Sequence, residues 1–599
     1  MSEKAGFTFS YNSSILSDHP STLSYDLDNE SVKSTLDRIL PDNIDYKVSG
    51  NHLILLEKAS STSGKKEKYT IRGQVFSAED KTPLEDIVVY EISSLVSALT
   101  NADGSFSMVI PAEFKQFGIA FNHQDFHEKV IFIDPKDQSL SITLKPKRER
   151  KDIEKLESIP VSPQSVESLS LVRTLVPAAL FTRTSNMDWI RQVAVQVSFL
   201  PSIGTNLKMS GLIENDFSLN VLAGYSYGVN KFEMGGLVNI VRKDVKGAQI
   251  AGIGNIVGNN TRGGQIGGLF NYDRGSMKGV QVAGIYNFLK DSLEGTQVSG
   301  IGNVIKGNMK GVQLSGLYNY VEGNVEGTQI SGLANFVEND VQLFQFAGLL
   351  NKAEKVNGTQ ISGLINFSTD TVKGAQLSGL LNKAKAVETF QLSGIANIAE
   401  ETVSGTQISG LLNYAQYVGG SQIALVNIAD SASGIPVGFF SYIKQGHRRI
   451  EFYITEILPA NIAFKTGVQK FYNIFTSGIG AWSGNSRLSL GYGVGTETGL
   501  NDHLGLNFEV TNNVIFDRIG FHKDFHSLLR LDISLVPTKS KNISFSIGPS
   551  FNVLYSDIAS EAVESSVTSI APYTLIDHEI GNGTGQVWIG GKASVSLAF

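Results

Sequence analysis

Two hydrophobic rhythms run along this chain, and neither has the period of a helix. Val193, Val195, Val197 and Phe199 alternate with Ala194, Gln196 and Ser198, and Phe217, Leu219, Val221, Ala223, Tyr225 and Tyr227 alternate with Ser218, Asn220 and Ser226. The same period of two returns after residue 448, in rows such as Leu504, Leu506, Phe508 and Val510 or Leu529, Leu531, Ile533 and Leu535. It ends in Val587, Ile589, Val595, Leu597 and Phe599, opposed by Gln586, Lys592, Ser594 and Ser596. A period of two gives a strand one apolar and one polar face. Rows this long predict a wall between lipid and a polar lumen, although strands of a soluble sandwich also alternate. Two strands at 193–228 and about eight at 448–599, counting less regular ones near 459–468 and 472–482, predict a barrel of about ten strands. Long connections near 200–214, 512–525 and 556–585 then fall at one mouth, and short ones such as Pro537–Asn542 at the other.

Between these rows, over residues 232–443, the second rhythm is a repeat of about sixteen residues. The phrase Gly-x-Gln-(Ile/Val/Leu)-(Ser/Ala)-Gly-(Leu/Ile)-x-Asn places Gln at 249, 265, 281, 297, 313, 329, 345, 360, 376, 391, 407 and 422. Such a unit buries its face only against its neighbours. Its connecting pieces, Val257–Arg262, Leu289–Glu294 and Val321–Glu326, resemble one another. An antiparallel meander would place successive connections in two different environments. The repeat therefore predicts a parallel β-solenoid, one coil per repeat, with Gln and Asn stacked as ladders. The alternative is that the repeats are further strands of one larger barrel. The repeats, together with Val195–Pro201, also resemble bacterial surface-repeat proteins, a likeness that implies no activity.

The N-terminal part reads differently. In 1–58, Phe7, Phe9 and Tyr11 alternate as a strand, Val32, Leu36, Ile39 and Leu40 have helical spacing behind the Asp28–Ser31 caps, and Tyr46–Val48 with Leu53–Leu56 predict a hairpin. This segment resembles the STN domain, a periplasmic α+β module, through Ser2–Asn12, the Val32–Leu40 helix and Tyr46–Leu56. In that family a strand and part of a helix precede the Glu3-Lys4-Ala5-Gly6 turn, which implies that the segment is N-terminally truncated. Residues 69–145 predict only strands, with a tight turn at Asn101-Ala102-Asp103-Gly104. The frame Gly73, Pro83, Thr100, Asp103, Gly104, Phe106 resembles the carboxypeptidase D regulatory-like domain, a non-catalytic β-sandwich. The pair of modules resembles what precedes outer-membrane barrels in Bacteroidota-type envelopes. Residues 146–190, with a basic run at Lys145–Lys151 and Pro160-Val161-Ser162-Pro163, are expected to be a linker.

Composition adds exclusions. The chain of 599 residues has 61 Gly, 18% charged residues and a net charge of -7. That charge argues against a nucleic-acid partner, because phosphate binding needs a basic face. With no Cys, thiol catalysis and Cys-ligated zinc are excluded. No apolar run is long enough for a transmembrane helix.

Candidate chemistry is sparse. His123 and His127, and His522 and His526, have the i, i+4 spacing of zinc ligands, but that spacing converges only on a helix and both pairs fall in strand or loop. Gly204–Gly211 matches a nucleophile elbow only loosely. The glycines lack the Lys and helix of a phosphate loop. No catalytic, cofactor-binding or metal residue is assigned, and no cofactor is expected.

The expected fold is mainly β: a small α+β domain, a β-sandwich, a β-solenoid-like repeat region and a C-terminal outer-membrane barrel. The expected function is non-enzymatic, in envelope architecture or protein interaction, as a subunit of an outer-membrane complex. Expected partners are outer-membrane lipid, the barrel-assembly machinery during insertion and other envelope proteins, with the N-terminal domains in the periplasm. The resemblance to STN modules leaves a transporter or pore of TonB-dependent type as the alternative, against which stand the small strand number and the lack of a plug segment. A surface enzyme acting on glycans would need a placed acid/base pair, which the sequence does not supply.

Overall fold

Strands dominate the protein, as the period-two rows require. The computed structural model describes residues 8–10, 40, 44–49, 52–57, 68–112, 116–147, 165–187, 189–482, 485–501, 503–517, 525–537, 542–557, 570–580 and 583–599. The chain forms two compact units, Met1–Ser315 and Gly316–Phe599.

In the first unit, Ile44–Ser49 and His52–Glu57 pair antiparallel, and Thr8–Ser10 lies parallel to the latter. The helix expected at Val32–Leu40 lies, apart from Leu40, outside the described residues. Next, Lys68–Ser77 sits between Ser105–Pro111 and Gln138–Leu144 in one sheet, while Ser97–Leu99, Val88–Glu91, Phe117–His123 and Phe126–Ile133 form another. Alternate residues of both sheets, among them Ile71, Val75, Val89, Phe106, Ile119 and Phe121, share one core. At the Asn101–Ser105 turn, Gly104 has φ 73° and Asp103 Oδ1 accepts from Ser105 N. Only glycine adopts that backbone without strain.

The sequence reading of 146–190 as a linker is corrected for its second half. Val166–Ser168, Ser170–Leu175 and Ala178–Asn186 are short helices. Val166, Val172, Val176 and Leu180 pack on Tyr225, Val238, Ile240 and Ile256 of the first coils. Val172, Val176 and Leu180 recur every four residues, but Pro177 among them and Pro160 and Pro163 upstream break the helical pattern in the sequence.

Residues 193–228 are not barrel strands, as the sequence suggested, but the start of the solenoid. Arg191–Leu200 pairs parallel to Ile213–Asn220, which pairs parallel to Gly228–Gly235. The connection near 200–214 is accordingly a turn with the 3-10 helix Leu207–Leu212. Period two cannot distinguish the two cases, because both put polar residues inside and apolar ones outside. Gln196, Ser198 and Asn220 are buried, while Val195, Val197, Phe217 and Leu219 are exposed.

The repeats in each unit are parallel coils of two strands joined by two corners, and not strands of a larger barrel. In one coil of the second unit, strand Val325–Ser331 passes the corner Gly332-Leu333 into strand Ala334–Val337. Val325, Gln329, Ser331, Asn335 and Val337 point inward. Each coil registers residue for residue on the next, so that Gln360 pairs with Gln376 and Asn366 with Asn382. Where the spacing drops to fifteen, as from Gln345 to Gln360, the ladder stays in register. The corner glycine is obligatory: a Cβ on Gly379 would lie 2.1 Å from the Gly363 carbonyl oxygen.

The C-terminal strands close into a barrel of eight, not ten. They are Arg449–Thr455, Ala460–Val468, Phe471–Trp482, Asn485–Gly499, Leu504–Asp517, Phe525–Pro537, Ile543–Asp557 and Gly583–Ala598. Each pairs antiparallel with its neighbour, and the first closes on the last through Phe452 and Val595. An even number puts the last coil and Phe599 at the same mouth. The 469–470 and 500–503 turns lie there too, and the long 558–582 connection lies at the other mouth. Of the expected loop at 512–525, residues 512–517 are strand, since pairing runs on to Asp517, and residues 518–524 lie outside the described residues.

Candidate functional site

The inward rows of the barrel carry charge. Glu451 and Tyr453 enter from the first strand, Lys465 from the second, Tyr472 from the third, and Glu509 from the fifth. Arg530 and Asp532 come from the sixth strand and Lys592 from the last. Strand alternation aims all of them at the axis, while Phe452, Ile462, Ile479, Phe508, Leu531, Phe545 and Ile589 point outward and are exposed. The interior is thus polar and the exterior apolar, the reverse of a soluble barrel.

Six of these interior charges form one network. Lys465 Nζ lies 2.8 Å from Glu451 Oε2 and also donates to Glu509 Oε1. Lys592 Nζ lies 3.1 Å from Glu451 Oε2, 2.7 Å from Glu509 Oε2 and 3.8 Å from Asp532 Oδ2. Arg530 Nη2 donates to Asp532 Oδ1 at 2.9 Å, and Tyr472 Oη donates to Glu509 Oε1 at 2.8 Å. Three cations thus face three carboxylates. A buried ion pair is tolerated only when its charges are matched and hydrogen-bonded, because each unpaired ion costs several kcal/mol.

Both mouths are filled. At the far mouth, Ile515, Leu528, Leu554 and Trp588 turn inward and pack with Ile457, Leu458, Ile570 and Ala571. Glu456 Oε1 accepts from Trp588 Nε1 at 3.0 Å, and Glu456 Oε2 accepts from the Gly591 amide. At the near mouth, Ser441 of the last coil donates its amide to Asn473 Oδ1 and accepts from Thr466 Oγ1. Glu451, Lys465, Glu509 and Lys592 are at most 5% exposed. Side chains lining a water-filled lumen would be wetter, so at this level the interior is packed.

The coils hold a second polar interior. Gln376 Nε2 donates to Gln360 Oε1 at 2.8 Å, toward the preceding coil. Asn366 Nδ2 donates to Asn382 Oδ1 at 3.0 Å and to Leu377 O at 2.7 Å, toward the following one. The two amide ladders therefore run in opposite senses and their dipoles cancel. All these side chains are fully buried, and each buried amide needs its partners. Two buried carboxyls join the ladders of the first unit, Asp273 beside the Gln row and Glu233 at its start. Burial pushes Asp273 up to about 7, against hydrogen bonds from Gln265 and Gln281. Burial raises Glu233 as well, where it accepts from Gln249 and Asn220. Under the helices, burial alone would raise Glu167, but Arg242 at 2.6 Å holds its carboxyl below the usual range.

The histidine pairs singled out in the sequence do not converge. His123 stacks edge-on against Phe126, and burial lowers its pKa. His127 lies on the following strand. His526 is buried in the barrel beside Ser556 Oγ at 2.9 Å, and His522 is outside the described residues. Among the described residues no group of three His, Asp or Glu could hold a metal ion. Gly204 ends a two-residue strand and Gly211 lies in a 3-10 helix, so no elbow forms there.

No family model, curated protein or solved structure matches this chain. Sequence reasoning did not assemble the charge network, although a signal was present. Glu451, Lys465, Glu509, Arg530, Asp532 and Lys592 all sit in phase with the polar rows, and their signs balance.

Proposed function

We propose that this chain is a non-enzymatic outer-membrane β-barrel protein serving envelope architecture or protein interaction. The observation that carries the reading is the inside-out barrel: matched charges at the axis, and Phe, Ile and Leu on the outer wall. In water that wall would be a contiguous apolar patch far larger than soluble monomers carry. In hydrocarbon it is the favoured solvent, and the closed strand ladder leaves no edge unsatisfied. Beside the closure seam the wall also holds an apolar hollow of about 810 Å³, lined by Phe452, Ile454, Ile462, Ile479 and Phe545 among others, which suits lipid chains.

Short turns at the mouth that carries the coils and Phe599, with the long 558–582 connection opposite, support placing the coils and the N-terminal domains in the periplasm. The resemblance of 1–58 to STN domains and of 69–145 to carboxypeptidase D regulatory-like domains supports the same side, and the two-sheet core of 68–147 suits the second. Lipid, the barrel-assembly machinery during insertion and other envelope proteins are the partners of this reading. The packed interior favours architecture over conduction. Density-gradient fractionation of the full-length protein with a carbonate wash tests it. The protein stays with outer membrane and migrates differently on gels before and after boiling; release into the wash would refute the reading.

A further inference from the structure

The coils of the second unit are not uniform around their circumference. One edge carries the corner residues Leu333, Leu349, Leu364, Leu380, Ile395 and Leu411, between 38% and 51% exposed. Behind this edge the interior is polar, built from the Gln and Asn ladders and from inward serines such as Ser362 and Ser393. The opposite edge is reversed. It carries Lys355, Asp370, Lys373 and Glu388 outside, in ion pairs such as Lys355–Asp370, and buries Val356, Val372 and Val387 inside. In 316–443 no charged residue occurs in the segments 328–335, 344–351, 359–366, 375–382, 390–397, 406–413 or 421–427, which form the first edge. Half of each coil thus follows the pattern of a soluble protein, and half follows that of the barrel.

The first half also meets the barrel. The last corner residue, Phe439, stacks on Tyr492 of the outer wall with ring centroids 4.8 Å apart and meets Phe475 at 5.5 Å. Inside, Asn427 Nδ2 donates to Ser441 Oγ, which leads on to Asn473 and Thr466 of the barrel. The apolar exterior and the polar interior both continue from barrel into coils. The edge also needs no water for its backbone: the amide of Leu380 donates to Leu364 O, that of Ile395 to Leu380 O and that of Leu411 to Ile395 O. Full backbone satisfaction is the condition for contact with hydrocarbon.

We propose that the Leu364–Leu380–Ile395–Leu411 edge is a lipid-contacting surface of the periplasmic coils, set into the periplasmic leaflet of the bilayer that holds the barrel wall, with the Lys/Glu edge in the water of the periplasm. The inference rests on the reading of the barrel as a membrane protein. The chain has no Cys, so single-cysteine variants can carry a nitroxide label without background. Leu364→Cys, Leu380→Cys and Leu411→Cys report the edge, Lys373→Cys the opposite edge, and Ile547→Cys the barrel wall. The full chain is reconstituted into phosphatidylethanolamine–phosphatidylglycerol vesicles, and collision of the label with oxygen, which concentrates in lipid, is compared with collision with a water-soluble nickel chelate. The edge sites shift to oxygen-favoured collision like Ile547, while Lys373 stays nickel-favoured. Nickel-favoured edge sites beside an oxygen-favoured Ile547 overturn this proposal and leave the barrel reading standing. Nickel-favoured collision at Ile547 as well overturns both. Edge sites shielded from both reagents mean that protein, such as a second copy, covers them, which also overturns it.

Discussion

At the scale of residues, the coils hold one position by backbone conformation. Gly247, Gly263, Gly279, Gly295, Gly311 and Gly327 all have φ between 131° and 155°, and Leu343 occupies the same position with φ 102°. A leucine there costs about 1–3 kcal/mol, partly offset by the greater chain entropy that glycine loses on folding. Leu343→Gly is expected to raise stability by about 1 kcal/mol, read as a higher urea concentration for proteolytic cleavage of the repeats. Asp273 gives a pH dependence. Unfolded, its carboxyl titrates near 3.8; folded, burial puts it at about 7. The folded state holds the proton more tightly, so this stabilisation is complete below about pH 3.8 and is lost as pH rises through about 7. Urea titrations across this range should find that Asp273→Asn removes that slope. Above about pH 8 the variant should be the more stable form, by on the order of 4 kcal/mol; an unchanged slope would mean that Asp273 is hydrated.

At the scale of elements, the ladders and the charge network obey one rule, that a buried polar group is stable only with its partners. Asn366 links three coils, accepting from Asn351 and donating to Asn382 and Leu377 O. Asn366→Ala orphans buried groups on both sides and is expected to cost about 2–4 kcal/mol, seen as hydrogen exchange increasing in the adjacent coils first, because each coil rests only on its neighbours. In the barrel, Lys592→Met leaves Glu451 and Glu509 short of a cation and is expected to cost about 3–5 kcal/mol. The temperature of the gel shift on boiling falls accordingly. Adding Glu509→Gln restores part of it, whereas an additive double mutant would show that the pair does not interact.

At the scale of the molecule, packed charge at the axis and apolar fill at the far mouth predict a closed barrel. In planar bilayers the purified protein is expected to give no steady conductance above the lipid baseline. Stable channel openings would return the transporter reading to first place.

Much of this was legible along the chain. The repeat spacing pointed to parallel coils, because a period that returns Gln upon Gln suits a ladder in register, but it left strands of one larger barrel open, and only the structure showed that the Gly of each repeat sits at a corner where a carbonyl oxygen leaves no room for Cβ. The alternating rows determined which side chains face in. What they could not determine was which partner each strand takes, since a period of two is the same in a coil and in a barrel wall. Only the tertiary structure decided that 193–228 opens the solenoid, that eight strands close the barrel, and that residues 165–186 fold as helices over the first coils. It also brought Glu451, Lys465, Glu509 and Lys592 together, residues up to 141 positions apart in a chain whose local pattern says only that each points inward. Local pattern fixes direction, but strand pairing between distant segments fixes distance, and distance is what turns matched charges into a network.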